Sequence, residues 1–132
     1  MLRAAVLGGV DGVISSFAVL AGVHAGALGG RAALVVGSSS VLADGLSMGV
    51  SEYLSSTAEQ ATERRPVSPG LLGLTCLGSF VGCGIVPIVA YLVTNENLVS
   101  CAFFSLTELM VLGSLRTCAS RERLLLGLGQ TA

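Results

Sequence analysis

Four runs of apolar residues, each about as long as a helix needs to cross a bilayer, dominate this sequence, and lone acidic residues interrupt them. A helix rises about 1.5 Å per residue, so about 20 residues cover a hydrocarbon core roughly 30 Å thick. Runs that meet or approach this length are predicted over residues 4–28, 32–56, 71–93 and 98–115. A polar break, Glu59-Gln60-Ala61-Thr62-Glu63-Arg64-Arg65-Pro66, closed by Pro69-Gly70, separates the second run from the third. Thr94-Asn95-Glu96-Asn97 is a short polar turn before the fourth. The tail begins polar at Arg116 and becomes apolar again at Leu124-Leu125-Leu126.

Composition agrees with lipid as the solvent. The 132 residues suffice for one compact unit, here a single transmembrane helical domain over residues 1–132. Only 11% of residues are charged, against about 25% in a soluble domain. Mean hydropathy is +0.83. A net charge of -1 offers no basic patch, which excludes nucleic acid as an expected partner. The four cysteines, Cys76, Cys83, Cys101 and Cys118, form no CxxC pair, so they read as small hydrophobes rather than a zinc site. Arg3 ahead of an apolar stretch, with Ala25-Gly26-Ala27 beyond it, imitates a secretory leader. Asp11 interrupts that stretch, and it exceeds the roughly 7–15 residues of a leader core, so a retained first helix is expected.

Charge asymmetry gives an orientation. With the N-terminus in the cytosol, Arg3, Arg64, Arg65, Arg116, Arg121 and Arg123 are cytosolic and only Arg31 is not. Short loops place their basic residues on the cytosolic side, so both ends of this chain are expected there. Glycines spaced by four (Gly8/Gly12, Gly22/Gly26, Gly45/Gly49, Gly78/Gly82) lie on common helix faces and predict close backbone packing in a bundle. Pro87 removes one backbone donor from the third helix and is expected to kink it. So small a bundle hides few polar groups unaided, and a homodimer is expected.

The acids carry the chemistry. Asp11, Asp44, Glu52 and Glu108 fall inside apolar segments, where a carboxylate costs at least ~2.5 kcal/mol on insertion scales. Such groups line water-filled paths, bind cations or relay protons. Asp44, Met48 and Glu52 recur every four residues and share one stripe of the second helix. Hard oxygen ligands suit divalent cations, and a thioether among them favours transition metals over magnesium or calcium. Met48 is then either core filler or a ligand. Asp11 and Ser15 share a face of the first helix in the same manner. Ser38, Ser39, Ser40, Ser47, Ser51 and Ser55 are expected to satisfy helix carbonyls or neighbours. Glu108 is either a second proton or metal site or one half of a polar pair across the bundle. His24 reads as an interfacial side chain. No nucleophile elbow, phosphate loop or HExxH occurs, and no enzyme is expected.

Two blocks are similar to a known family. Residues Ala5-Val6-Leu7-Gly8-Gly9-Val10-Asp11-Gly12-Val13-Ile14-Ser15-Ser16-Phe17-Ala18, followed by Ala21-Gly22-Val23, resemble the first helix of vacuolar iron transporters. Leu42-Ala43-Asp44-Gly45-Leu46-Ser47-Met48-Gly49-Val50-Ser51-Glu52-Tyr53-Leu54-Ser55 resembles the second. The resemblance covers residues 4–56 closely and the later segments more loosely. It implies five transmembrane helices in a homodimer, with a metal path between the two first helices. It also implies movement of cytosolic ferrous iron, often manganese too, into a vacuole or similar acidic store in exchange for protons. Carried over by motif, Asp11 and Met48 would line the path, with Asp44 and Glu52 in support; the metal is cargo, and no cofactor is implied.

Two departures qualify the resemblance. Many members carry a Glu-rich cytosolic domain between the second and third helices, where this chain has a short break with Glu59 and Glu63 alone, as in the plant nodulin-like branch. Arg121-Glu122-Arg123-Leu124-Leu125-Leu126-Gly127 looks like the start of a fifth helix, and the chain ends at Ala132. The expected fold class is therefore all-α membrane protein, four helices plus the start of a truncated fifth. The expected function is proton-coupled transport of divalent iron or manganese. The alternatives are a truncated, non-transporting paralogue that associates with full-length partners, and a small exporter of organic cations. The absence of Trp and the 5% aromatic content speak against the exporter, whose cargo favours rings.

Overall fold

The computed structural model describes residues 1–62 and 66–129, with side chains as far as Cys118. The order is α1 (Leu2–Ala25), α2 (Gly29–Thr62), α3 (Pro69–Val93) and α4 (Leu98–Gly129). All four are long and apolar enough to cross a membrane. Their outward surfaces carry exposed Leu, Val, Ile and Phe, including Val35, Leu46, Leu74, Phe103 and Met110. Such a surface suits lipid, and the chain is an integral membrane protein.

The helices are bounded by local chemistry. Gly26 ends α1, and the turn to α2 closes with Leu28 N–H donating to the Val23 carbonyl at 3.1 Å. Gly29, at φ +77, takes the left-handed conformation that a glycine adopts freely. Pro69 opens α3 behind Ser68, where its missing N–H costs no helix bond. Before α4, Asn97 Oδ1 accepts from the Val99 N–H at 3.1 Å. At that same end of the bundle the Glu96 carboxylate accepts from the Gly30 N–H, placing an anion at the start of α2.

Packing centres on α3. It lies against α1, α2 and α4, while among the described residues α2 and α4 do not touch. The partners read off in order. A Cβ on Gly8 would fall on the Cys76 carbonyl, and one on Gly12 on the Phe80 carbonyl. Gly84 lies against Ser16, and the Tyr91 hydroxyl bonds His24. Residue numbers rise together, so α1 and α3 run parallel. Along α2, Gly49 faces Gly73 and Leu77, Gly45 faces Phe80 and Val81, and Gly37 faces Ile88, so α2 runs antiparallel to α3. Phe80 and Tyr91, fully buried, fill the space with Leu20, Val41 and Ile88.

Some expectations shift. Of the four glycine pairs, Gly8/Gly12 and Gly45/Gly49 receive a neighbour's atoms, whereas Gly22, Gly78 and Gly82 meet nothing within 4 Å. The second helix extends beyond residue 56 to Thr62, and Pro87 lies inside the third, Pro69–Val93. The fourth runs from Leu98 to Gly129, so the segment from Arg121, expected to open a fifth helix, continues the fourth here. Glu63, Arg64 and Arg65 lie outside the described residues, as do the side chains of Arg121 and Arg123.

Candidate functional site

The glycine contacts set the depth of each acid. Gly12 of α1 and Gly45 of α2 both pack on Phe80 of α3. Asp11 and Asp44, each one residue before those glycines, therefore lie at one level of the bundle. Met48 precedes Gly49, which rests on Leu77, and so sits one turn nearer the N-terminal end of α1. Glu52, a further turn along α2, neighbours Tyr53, whose Cβ approaches Gly73. Cys76, at this level of α3, is fully buried.

Facing matters as much as depth. Asp11 is exposed on α1 along with Leu7, Ile14, Ala18 and Gly22. These residues recur at helical spacing and form one outward stripe, with small residues above the acid. Asp44 is also exposed, and Ser40 Oγ donates to its Oδ2 at 2.9 Å. Met48 is half-buried and packs against both hydrophobic clusters of the core. Glu52 is half-buried. Among the described residues, no three His, Cys, Asp or Glu side chains converge as a group that could hold a metal ion. Within one chain the four motif residues therefore share a region of the bundle and do not close around an ion.

The remaining polar side chains fall into place. Ser38 donates to the Leu34 carbonyl at 2.6 Å, Ser39 to Val36 at 3.1 Å and Ser51 to Ser47 at 2.8 Å, so these hydroxyls serve helix carbonyls. His24 is exposed at the end of α1, its Nδ1 3.1 Å from the Tyr91 hydroxyl, which satisfies that buried phenol. Glu108 is the acid whose role the sequence left open. It is half-buried on the stripe of α4 that carries Cys101 and Ser105, and among the described residues its Oε2 is buried without a partner.

Comparison with known proteins now bears on this geometry. Residues 2–69 match the model of the VIT family, which takes in α1, α2 and all four motif residues. The chain belongs to the VIT family. A vacuolar iron transporter of Toxoplasma gondii is 42% identical over 59 residues, which is 45% of this chain and 20% of that relative. The aligned stretch thus spans about a fifth of the relative's length. No solved structure matches the chain. The family match ends at residue 69, where α3 begins. The later helices of this VIT-family chain stand on their own packing against α1.

Proposed function

We propose that the chain moves divalent iron or manganese out of the cytosol into a vacuole-like store, exchanging it for protons, as a homodimer whose two first helices line the path. The observation that carries the reading is the position of Asp11. It stands at membrane depth on an outward face of the single chain, with Ala18 and Gly22 above it on the same stripe. Lipid cannot host that carboxylate without cost, while small residues let a second backbone come close. A second copy meeting the same stripe would bring two Asp11 carboxylates together across a two-fold axis. Membership of the VIT family supports the metal as cargo, and similarity to the vacuolar iron transporter of Toxoplasma gondii supports iron in particular.

The chemistry then follows from the ligands. Asp11 oxygens attract the partly dehydrated ion, and the Met48 sulfur adds the soft contact that distinguishes iron and manganese from magnesium. Asp44, held by Ser40, and Glu52 add negative potential along the same region. Protons arriving from the acidic side compete for the carboxylates and release the ion. Both chain ends are placed in the cytosol, on the strength of the six basic residues expected there.

Reconstituted in lipid vesicles, the chain is expected to take up Mn2+ in proportion to an imposed pH gradient, and a protonophore should collapse the uptake. Zero flux from inserted protein that still co-purifies with a longer family member would establish the non-transporting reading in its place. A second expectation separates ligand from filler at Met48. Met48→Leu conserves volume, a swap that costs under about 1.5 kcal/mol of stability. Thermal stability should therefore hold while uptake falls several-fold; unchanged uptake would return Met48 to the core.

A further inference from the structure

Two side-chain hydrogen bonds fasten the end of the bundle away from the N-terminus, and Tyr91 connects them. The first joins α1 to α3. Tyr91 is 1% exposed, and its hydroxyl lies 3.1 Å from Nδ1 of His24. The two rings meet edge to face, with centroids 6.1 Å apart. The second bond joins the α3–α4 turn to α2. There the Glu96 carboxylate accepts from the Gly30 N–H, and a Cβ on Gly30 would strike Glu96 Oε1, so this glycine leaves the space that the acid fills. The backbone links the two, since the Glu96 N–H donates to the Tyr91 carbonyl at 2.9 Å. One line of contacts therefore runs from α1 through α3 to α2, by way of His24, Tyr91, Glu96 and Gly30.

Each contact depends on a protonation state. Among the described residues, the Tyr91 hydroxyl has His24 as its hydrogen-bond partner. A buried O–H without an acceptor is costly, which assigns the lone pair of a neutral imidazole to Nδ1. An imidazolium carries donors on both nitrogens, so a proton on His24 takes that acceptor away from the phenol. His24 is exposed and open to solvent protons, whereas the consequence falls on a buried residue. Glu96, also exposed, stands as an anion at the N-terminus of α2, and a proton removes the charge that favours this position. Its backbone sits at φ +64, a conformation that a side-chain-bearing residue keeps only while neighbouring contacts hold it. The other ionisable groups near this end are Arg31 of α2, next to Gly30, and Cys101 of α4, whose thiol bonds the Pro87 carbonyl one turn below Tyr91. Asp11, Asp44 and Glu108 lie about three turns away or more along α1, α2 and α4.

We propose that His24, Tyr91 and Glu96 form an acid-released clamp, which ties α1, α2 and α3 together at this end and lets them part when His24 and Glu96 take up protons. Acidification acts on both contacts in one direction, so the clamp loosens as pH falls. None of the four motif residues belongs to it, and it stands whether or not the chain carries metal. Its use as an exit toward an acidic store is the one part that rests on the proposed transport and orientation.

Amide hydrogen exchange of the full chain in lipid bilayer discs, corrected for the intrinsic pH dependence of exchange, tests the clamp. Between about pH 8 and about pH 4, where histidine and then carboxylates gain protons, protection of residues 26–30 and 94–97 should fall at least about fivefold. Amides of α3 around Phe80 should hold. Tyr91→Phe and Glu96→Gln should each show part of that loss already at about pH 8, and each should shrink the further drop on acidification. The chain has a single histidine, so nitrogen-15 spectra carry one imidazole. At about pH 8 they should show Nδ1 without a proton, and Tyr91→Phe should shift its signal. A proton on Nδ1 at that pH overturns the proposal, as does protection that stays level through the titration or a parent-like drop in either variant. Asp11→Ala should keep the parent's pH response. Failure of the metal reading therefore shows in the uptake measurement alone, and failure of the clamp in the exchange.

Discussion

Asp11→Ala is expected to lower pH-driven metal uptake to the leak rate of empty vesicles, a loss of at least about tenfold, the factor that 1.4 kcal/mol of lost binding produces. The expectation follows from placement. Asp11 occupies an outward stripe, so its replacement opens no cavity in the core and should spare the fold. Inserting a neutral side chain at membrane depth should even ease insertion, since a carboxylate there is unfavourable by at least ~2.5 kcal/mol. Transport and stability should thus move in opposite directions. If each first helix contributes one carboxylate, mixed dimers of parent and variant chains should keep an intermediate activity. Uptake by the variant equal to that of the parent would remove Asp11 from the path.

Gly12→Val should have the largest effect on stability. A Cβ at this position falls on the Phe80 carbonyl, which belongs to the backbone of a helix and cannot swing aside as a side chain would. Overpacking in tight cores costs about 1–3 kcal/mol, and a backbone obstacle argues for the upper end. The α1–α3 seam also sets the depth of Asp11, so the variant should lose function along with its fold. Gly82→Val is the matched control, because nothing lies within 4 Å of that position. Heated in detergent, Gly12→Val should aggregate well below the parent, and Gly82→Val should track it. Equal behaviour of the two variants would mean that the seam yields more easily than its contacts imply.

The helices were legible because length and hydropathy are properties of a segment by itself. Their ends were less so. The stretch from Ser56 to Thr62 is polar but contains Ala58, Glu59, Gln60 and Ala61, all compatible with helix, and α2 continues through it. A hydropathy window stops where lipid would stop, while backbone hydrogen bonding does not. The facing of side chains was not legible at all. A spacing of four puts Gly78 with Gly82 on one face just as it puts Gly8 with Gly12, yet only the latter pair receives a neighbour. The acids repeat the lesson. Sequence puts Asp11, Asp44 and Glu108 alike inside apolar segments, but in the single chain Asp11 and Asp44 turn outward, and Glu108 has an oxygen sealed inside. Which face points inward depends on partners from distant parts of the chain, such as Phe80 for Gly12.

The parallel seam between α1 and α3 also has a bearing on biosynthesis. Its contacts join residues 67 to 74 positions apart, as in His24–Tyr91 and Ala5–Ser79. Ribosomes add about 5–20 residues per second, so α1 must wait on the order of ten seconds before its partner emerges. Throughout that interval the groove around Gly8 and Gly12 faces lipid or the insertion machinery, with Asp11 beside it. The young helix depends on assistance during synthesis more than its hydropathy suggests. Synonymous codons that slow translation between Thr62 and Pro69 would lengthen its solitary phase and lower the yield of assembled protein without altering one residue.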